Sequence, residues 1–534
     1  MKTVFNDRND WKVLGLLTGV VTFVLFFISP DSYLNDLHTR TDSAWFYMCG
    51  KAWMNGLVPY VDFSDSKGPL LWLIYGAGYL LNRTSYVGVY WISCLWYGIT
   101  CFYSYKTARL FLHDTRRAVV CSLLMLPAFF NPWFHNEIRA EDFCLLFMTV
   151  SLYEVSRLMY GHKRDGKEIL RCGAVLGACF GALFLIKFNI AAMQAVFLLC
   201  FLYYLLHERI NCWKPCLAGL GGFAAVTLPF LICFLLSGNL TAFLQEYILN
   251  TLKTVEAAAP NDTNILLSQL SATHPLVTYL LEWGDILYCP EIGALFLLLI
   301  LGSILFLRSG RRYRWMPLFV STAIFSIAVR HHFLYYFNIC AFMLLFLAVG
   351  IVAIFGKPFR KWTVPAVAVL SAGILIPCHI LTFNFKTLVF NDNINQRDYY
   401  RVACIMSQVE HPTLVNAYAH EYGFGVPAGA LPAGKYWSKQ NGITDRMLDE
   451  HKELILSGKA DFIILHQDTF SHAECVSEAQ LTQAGYHELC RIGEGEDFIL
   501  LSNRENLYVP EYATPPVRDL LLKKNIQLIS THAI

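Results

Sequence analysis

The feature that most constrains this chain is a series of apolar runs, each long enough to cross a lipid bilayer. Hydropathy places them at residues 11–30, 86–107, 117–132, 141–160, 171–188, 190–207, 215–237, 286–307, 315–330, 333–355 and 362–383. That is about eleven spans, and each is expected to be helical because hydrocarbon cannot satisfy an open backbone. Composition agrees. Of the 534 residues, 55% are hydrophobic and 15% charged, whereas soluble proteins carry about 25% charged residues. An ordinary soluble enzyme is thereby excluded. The net charge of +2 gives no reason to expect a nucleic-acid partner. The run from Trp11 to Ile28 is long enough to span and no Ala-x-Ala site follows it, so it reads as a first anchor rather than a cleaved signal. The division around Lys187 is open: two helices, or one long helix with a re-entrant piece.

Basic residues in the short loops give a sidedness. Lys106, Arg109, Arg116 and Arg117 fall in one loop, and His162, Lys163, Arg164, Lys167 and Arg171 in another. Arg209 with Lys214, then Arg308, Arg311, Arg312 and Arg314, then Lys357, Arg360 and Lys361 complete the set. With the spans above, all of these face one side, which is expected to be the cytoplasm. Segments 31–85, 131–140, 238–285 and the tail from about 384 then face outward. Most of the 17 cysteines sit in apolar runs, where they behave as small hydrophobes, and no Cys-x-x-Cys zinc spacing occurs. Cys475 and Cys490 lie in the tail and could pair if it is extracytoplasmic.

The tail changes character. Apolar runs shrink to strand length at 413–418, 461–466 and 497–502, with helical stretches at 444–457 and 476–484 between them. Strands alternating with helices predict a small α/β domain over 386–534, after a membrane domain over 1–385. The tail has no nucleotide-binding glycine fingerprint, and the chain shows no internal repeat of the transporter kind.

The densest chemistry lies in the first outward loop, 31–85. After Asp42, apolar residues at 45, 48, 49, 52 and 53 form the stripe of an amphipathic helix. Gly56 ends it and Pro59 follows. Trp45, Trp53 and Lys51 suit a helix lying in the membrane surface, with Asp42 at its N-terminal end, where the helix dipole favours the ionised carboxylate. Lys67-Gly68-Pro69 then opens a second apolar helix with proline in its first turn. Asp62, Asp65 and Lys67 are thus gathered near the bilayer surface.

The order of these elements is an acid after the first span, Tyr-x-x-x-Gly-Lys-Ala-Trp-x-x-Gly-x-x-Pro-Tyr, further acids, then Lys-Gly-Pro-Leu. It resembles the first periplasmic loop of the GT-C glycosyltransferases that use polyprenyl-phosphate sugars, the aminoarabinose transferases of lipid A and the protein O-mannosyltransferase clan (glycosyltransferase family 39-like). Glu-Ile-Arg-Ala-Glu-Asp at 137–142 resembles the acidic start of an earlier span in that clan, and Arg330 to Leu345 its His-Tyr element. One departure is plain: the aminoarabinose transferases carry Glu-Lys-Pro where this chain has Ser66-Lys67-Gly68-Pro69. The lysine carries over and the glutamate does not.

The resemblance implies a polytopic α-helical membrane protein of GT-C type with a small C-terminal α/β extracytoplasmic domain. It implies glycosyl transfer in glycan biosynthesis of the cell envelope, at the outer face of a bacterial cytoplasmic (inner) membrane. The donor would be a polyprenyl-phosphate-linked sugar and the acceptor a glycan, a lipid or a protein, with membrane lipids around them. No cofactor is required; a divalent metal is compatible. Asp42 would be the general base, or else a helix N-terminal carboxylate on a wet loop. Lys67, Arg139 and Arg330 would bind the donor phosphate; Lys67 otherwise reads as a snorkelling lysine. Asp65, Asp142, Lys187, His331, His332 and Tyr336 would contact substrate, since ionisable groups at membrane depth usually face a cavity. Arg139 and Asp142 also read as mutually paired charges within the cluster that includes Glu137 and Glu141. Adjacent His331 and His332 point in different directions on a helix and would not easily share a metal. The rival class is a transporter or flippase for lipid-linked glycans, which predicts charges deep in several helices and repeat symmetry. An envelope assembly protein would not require the acid–Lys–Pro loop.

Overall fold

The computed structural model describes residues 8–34, 42–132, 137–161, 165–250, 289–329, 334–354, 361–380, 398–417, 423–438, 445–467, 476–492 and 498–510. By its contacts the chain divides into two compact units. The first comprises Met1–Ser29, Ser93–Leu231 and Pro260–Asn384; the second comprises Pro30–Ile92, Ile232–Ala259 and Phe385–Ile534.

The helices of the first half, in chain order, are α1 (Arg8–Ile28), α2 (Asp42–Met54), α3 (Pro69–Leu81), α4 (Val87–Leu112), α5 (Thr115–Leu124), the single turn α6 (Leu126–Phe129), α7 (Ala140–Tyr160), α8 (Gly166–Ile186), α9 (Phe188–His207) and α10 (Trp213–Leu236). Helices Pro290–Leu307, Met316–Val329, Leu345–Ile354 and Thr363–His379 follow. Among the described residues, seven helices are long and apolar enough to cross a membrane. The rest of the expected spans are shorter, such as Met316–Val329 and Thr363–His379, or more polar, such as the tyrosine-rich α4. The expected span 117–132 is broken at Met125, with Pro127 in the turn that follows. Leucines 220, 228, 235 and 236 on α10 are exposed, as suits a lipid-facing surface of a multi-pass membrane protein.

Lys187 separates two helices: α8 ends on it and α9 starts from it, with the residue itself extended at φ −152° and ψ 106°. The helices fold back on one another, since Gln194 Nε2 donates to the Leu176 carbonyl at 3.3 Å and to Ser151 Oγ at 2.8 Å. Placing the lysine at the turn removes a charge from what would otherwise be the middle of a long apolar helix. Helices α8 and α10 meet through small residues: a Cβ at Gly177 would lie 1.8 Å from the Gly219 carbonyl oxygen. Close approach of this kind is how helices associate where no hydrophobic drive separates them from lipid.

The second unit holds a five-stranded sheet with strands β1 (Thr413–Ala417), β2 (Leu431–Pro432), β3 (Phe462–His466), β4 (His487–Ile492) and β5 (Phe498–Ser502), in the order β2-β1-β3-β5-β4. β1 pairs in parallel with β2 and β3, and β5 runs antiparallel to β3 and β4. Successive residues alternate between two cores. Leu414, Phe462, Ile464 and Leu500 face one core with Val402 and Met406 of helix Asp398–Met406. Val415, Ile463, Leu465, Ile499 and Leu501 face the other with Ile455 and Leu481 of helices Asp445–Leu456 and Glu478–Gln483. Burial on both faces explains why β1, β3 and β5 read as continuous apolar runs. β4 is an edge strand and largely exposed, so its sequence shows no such run. Cys490 lies on β4; Cys475 and the Gly-Glu-Gly-Glu-Asp segment at 493–497 lie outside the described residues.

Candidate active site

The second unit carries Asp42, Asp65 and Lys67. Helix α2 begins at Asp42, which is half-buried, and ends at Met54; Gly56 follows at φ +90°, the left-handed conformation of a helix stop. α2 does not present an open polar face: every residue from Ser43 to Ala52 is buried within the protein. One face of α2 packs on α3, where a Cβ at Gly50 would come within 2.4 Å of the Gly76 nitrogen. Trp45, one turn after Asp42, packs on Trp437 of the C-terminal segment with ring centroids 5.3 Å apart. Lys51 is enclosed. It is 2% exposed, and its ammonium donates to the carbonyl oxygens of Gly425, at 3.2 Å, and of Ala428. Burial lowers the pKa of this amine from 10.5 to about 7.

The loop from α2 to α3 is tied tightly. Asp62 Oδ2 accepts from the Val58 N–H at 2.7 Å, so this acid shapes a turn. Tyr60, buried and at φ +64°, donates its hydroxyl to the Lys67 carbonyl at 3.1 Å. Asp65 is 6% exposed; its Oδ1 accepts from the Ser66 N–H at 2.6 Å and Ser66 hydroxyl at 3.2 Å, while its Oδ2 has no hydrogen-bond partner among the described residues. Lys67 Nζ donates to Ser66 Oγ at 3.0 Å, lies 3.9 Å from Asp65 and stands 5.8 Å from the centroid of the Phe46 ring. Its side chain keeps 21% exposure, so the ammonium is accessible. Gly68 caps α3 and Pro69 occupies its first position, as expected.

The first unit brings together Arg139, Asp142, Lys187 and Tyr336. Arg139 precedes α7, and its N–H donates to Asp142 Oδ2 at 2.7 Å. Its guanidinium pairs with Glu137 at 2.6 Å and lies 4.2 Å from the Tyr335 ring centroid. Lys187 forms a buried ion pair with Glu141 and stands 4.0 Å from the Tyr336 ring centroid. Asn189 Nδ2 donates to the Tyr336 hydroxyl at 3.2 Å. Tyr335 and Tyr336 stack, at the start of the 3-10 helix Leu334–Leu344, an unusually long run of a strained conformation. Asp142 turns the other way: its Oδ1 accepts from the Tyr97 hydroxyl and, at 3.2 Å, from Asn338 Nδ2. Both cations therefore already face carboxylates; for Arg139, pairing within its acidic cluster was the alternative to a site role. Arg330, His331 and His332 lie outside the described residues. Among the described residues, no group of three or more His, Cys, Asp or Glu side chains could hold a metal ion.

Several residues of these clusters are not singled out by any motif. Tyr97 and Asn338 fall within the expected spans 86–107 and 333–355, Glu246 within the outward segment 238–285, and Lys435 to Trp437 within the tail. A lysine followed by two aromatic residues (Lys435-Tyr436-Trp437) is the one local signal among them.

Residues 66–234 match the family model described as dolichyl-phosphate-mannose-protein mannosyltransferase. The fold is similar to that of ArnT from Cupriavidus metallidurans bound to undecaprenyl phosphate, at TM-score 0.60 and 14% identity over 94% of this chain and 100% of that one. The same protein in the apo state gives TM-score 0.59 and 14% identity over 93% and 98%. No curated protein sequence matches the chain. The resemblance to GT-C membrane glycosyltransferases is thereby borne out, with a helical membrane part and a small C-terminal sheet.

Proposed function

We propose that this protein is an integral membrane glycosyltransferase. It moves a sugar from a polyprenyl-phosphate donor to an acceptor hydroxyl at the extracytoplasmic face of a bacterial cytoplasmic membrane, with inversion at the anomeric carbon. The observation that carries the reading is the α2–α3 loop on a GT-C fold: Asp42 at the start of a buried helix, and Lys67 with an accessible ammonium beside Asp65.

Asp42, at the start of α2, is the carboxylate assigned to accept the proton. The acceptor oxygen attacks the anomeric carbon from the face opposite the phosphate, and its proton passes to the Asp42 carboxylate. The bond between that carbon and the phosphate oxygen breaks as the new glycosidic bond forms. The lipid phosphate leaves with the electron pair, and Lys67 neutralises the charge it gains. Arg139 and Arg330 are the further cations assigned to the phosphate; Arg139 is drawn from its pair with Glu137 when an anion arrives. Asp65, Asp142, Lys187, His331, His332 and Tyr336 are assigned to the sugar and the acceptor. Asp65 Oδ2, buried without a partner, is the atom best placed by chemistry to accept a sugar hydroxyl. No cofactor is required for this reaction, and a divalent metal is compatible with it.

The test is Asp42→Asn, assayed with a polyprenyl-phosphate sugar in detergent or vesicles. A general base contributes about 10²–10⁴-fold, so transfer falls by at least about a hundredfold while expression is retained. Full activity in that variant refutes the assignment of the base.

A further inference from the structure

The loop that carries Asp65 and Lys67 is held by a buried carboxylate far away in sequence. Glu246 lies in the π-helix Leu244–Asn250, a rare wide turn met frequently at functional sites. It is 4% exposed. Its Oε1 stands 2.5 Å from Lys435 Nζ, and the Tyr436 hydroxyl reaches Oε1 and Oε2 at 3.1 and 3.0 Å. Asn250 Nδ2 donates to Oε2 at 3.0 Å, and the Ser64 hydroxyl approaches the same oxygen at 3.5 Å. Ser64 is also gripped by its main chain, because its N–H donates to the Lys435 carbonyl at 3.1 Å. Ser64 directly precedes Asp65. Two residues on from Lys435, Trp437 packs on Trp45 of α2. One short segment of the tail therefore touches the loop before Asp65 and the helix that begins at Asp42.

A buried carboxylate held by a cation is a costly way to gain stability, and it is best understood where one arrangement must be specified. Burial, and then the Glu246 carboxylate, hold the Tyr436 hydroxyl well above its usual range, so it stays a proton donor to Glu246. Lys435 keeps 24% side-chain exposure, and its partner is fixed from three other directions. Such a network resists displacement of any one member.

We infer that Glu246, acting through Lys435 and Tyr436, is a positioning residue for the loop that carries Asp65 and Lys67. The segment 433–438 of the tail is then part of the framework of the transfer site. The inference rests on the functional reading above for its consequence on transfer, but not for its structural content.

Three variants test it: Glu246→Gln, which keeps the shape and loses the charge; Lys435→Met, which removes the ammonium; and Lys435→Arg, which restores a cation. Amide hydrogen exchange over residues 58–68 is measured by mass spectrometry together with kcat. In Glu246→Gln and Lys435→Met, these amides exchange at least about tenfold faster while those of α7 are unchanged. In the same two variants kcat falls about ten- to a hundredfold, the order expected when a reacting group is misplaced by about 1 Å. Lys435→Arg recovers most of both. Unchanged exchange at 58–68 overturns the inference even if activity is lost, because Glu246 would then act directly. Faster exchange with wild-type kcat overturns it as well. A wild-type protein that transfers nothing from a polyprenyl-phosphate sugar defeats the functional reading alone, and the exchange data then decide the positioning claim.

Discussion

Lys51→Met should abolish a specific pH dependence of stability. The Lys51 ammonium is buried, and both its hydrogen-bond partners, the Gly425 and Ala428 carbonyls, are uncharged. Its pKa falls from 10.5 to about 7 on burial. Between those values the unfolded chain binds a proton that the native chain has released, so stability rises with pH across the window. The cost is complete below about pH 7 and gone above about pH 10.5; at 1.36 kcal/mol per pKa unit it amounts to about 5 kcal/mol. From about pH 7 to about pH 9 the relief is roughly 2 kcal/mol. At roughly 2–4 °C per kcal/mol for a unit of this size, the wild-type Tm rises by roughly 4–8 °C over that interval from this group alone. Methionine removes the titrating amine but leaves two carbonyls unsatisfied, at a cost of about 1–3 kcal/mol each. Absolute stability is therefore a poor readout, and the difference in pH slope is the informative one. Thermal unfolding in detergent, followed by near-ultraviolet circular dichroism, measures it. Titration of histidines elsewhere contributes equally to both proteins and cancels. An identical rise in Tm for wild type and Lys51→Met would refute the claim that the amine is buried with only carbonyl partners.

Two further outcomes follow from the same unit. Lys67→Met removes the accessible ammonium assigned to the leaving phosphate, so kcat should fall about 10²–10³-fold; steady-state assays that find a change of less than about threefold remove Lys67 from the reaction. Gly50→Val drives a side chain into the Gly76 backbone, where even a Cβ would approach to 2.4 Å. Overpacking of this kind costs about 1–3 kcal/mol or more. Gly15→Ala, with open space around the added Cβ, is the control, and equal Tm values for the two variants contradict the close α2–α3 contact.

Much of this molecule is legible from local pattern. The apolar runs announce helices because a lipid environment leaves the backbone no other choice. The strand-length runs at Thr413, Phe462 and Phe498 announce the sheet because those strands are covered on both faces. Asp42 at a helix start, Gly56 as its stop and Pro69 at the next helix start are local stereochemistry, and all three stand where the spacing puts them. The edge strand β4 was not legible, since an exposed strand carries no apolar run.

Other properties belong to the tertiary structure alone. The stripe on α2 is compatible with a helix on a membrane surface and equally with one packed inside a protein. Periodicity reports which face is apolar and says nothing of what covers the opposite face. Coverage by α3 and by the tail buries Lys51, which the pattern alone places on an amphipathic helix. The Glu141–Lys187 pair joins residues 46 positions apart, and Glu246 meets Lys435 across 189. No spacing rule reaches across such distances, because a charge seeks its partner through space and the chain between them only has to be long enough. The sequence by itself determined where helices and strands form and which loop carries the chemistry; the folded chain alone decided which charges are paired, which are buried, and which segment of the tail grips that loop.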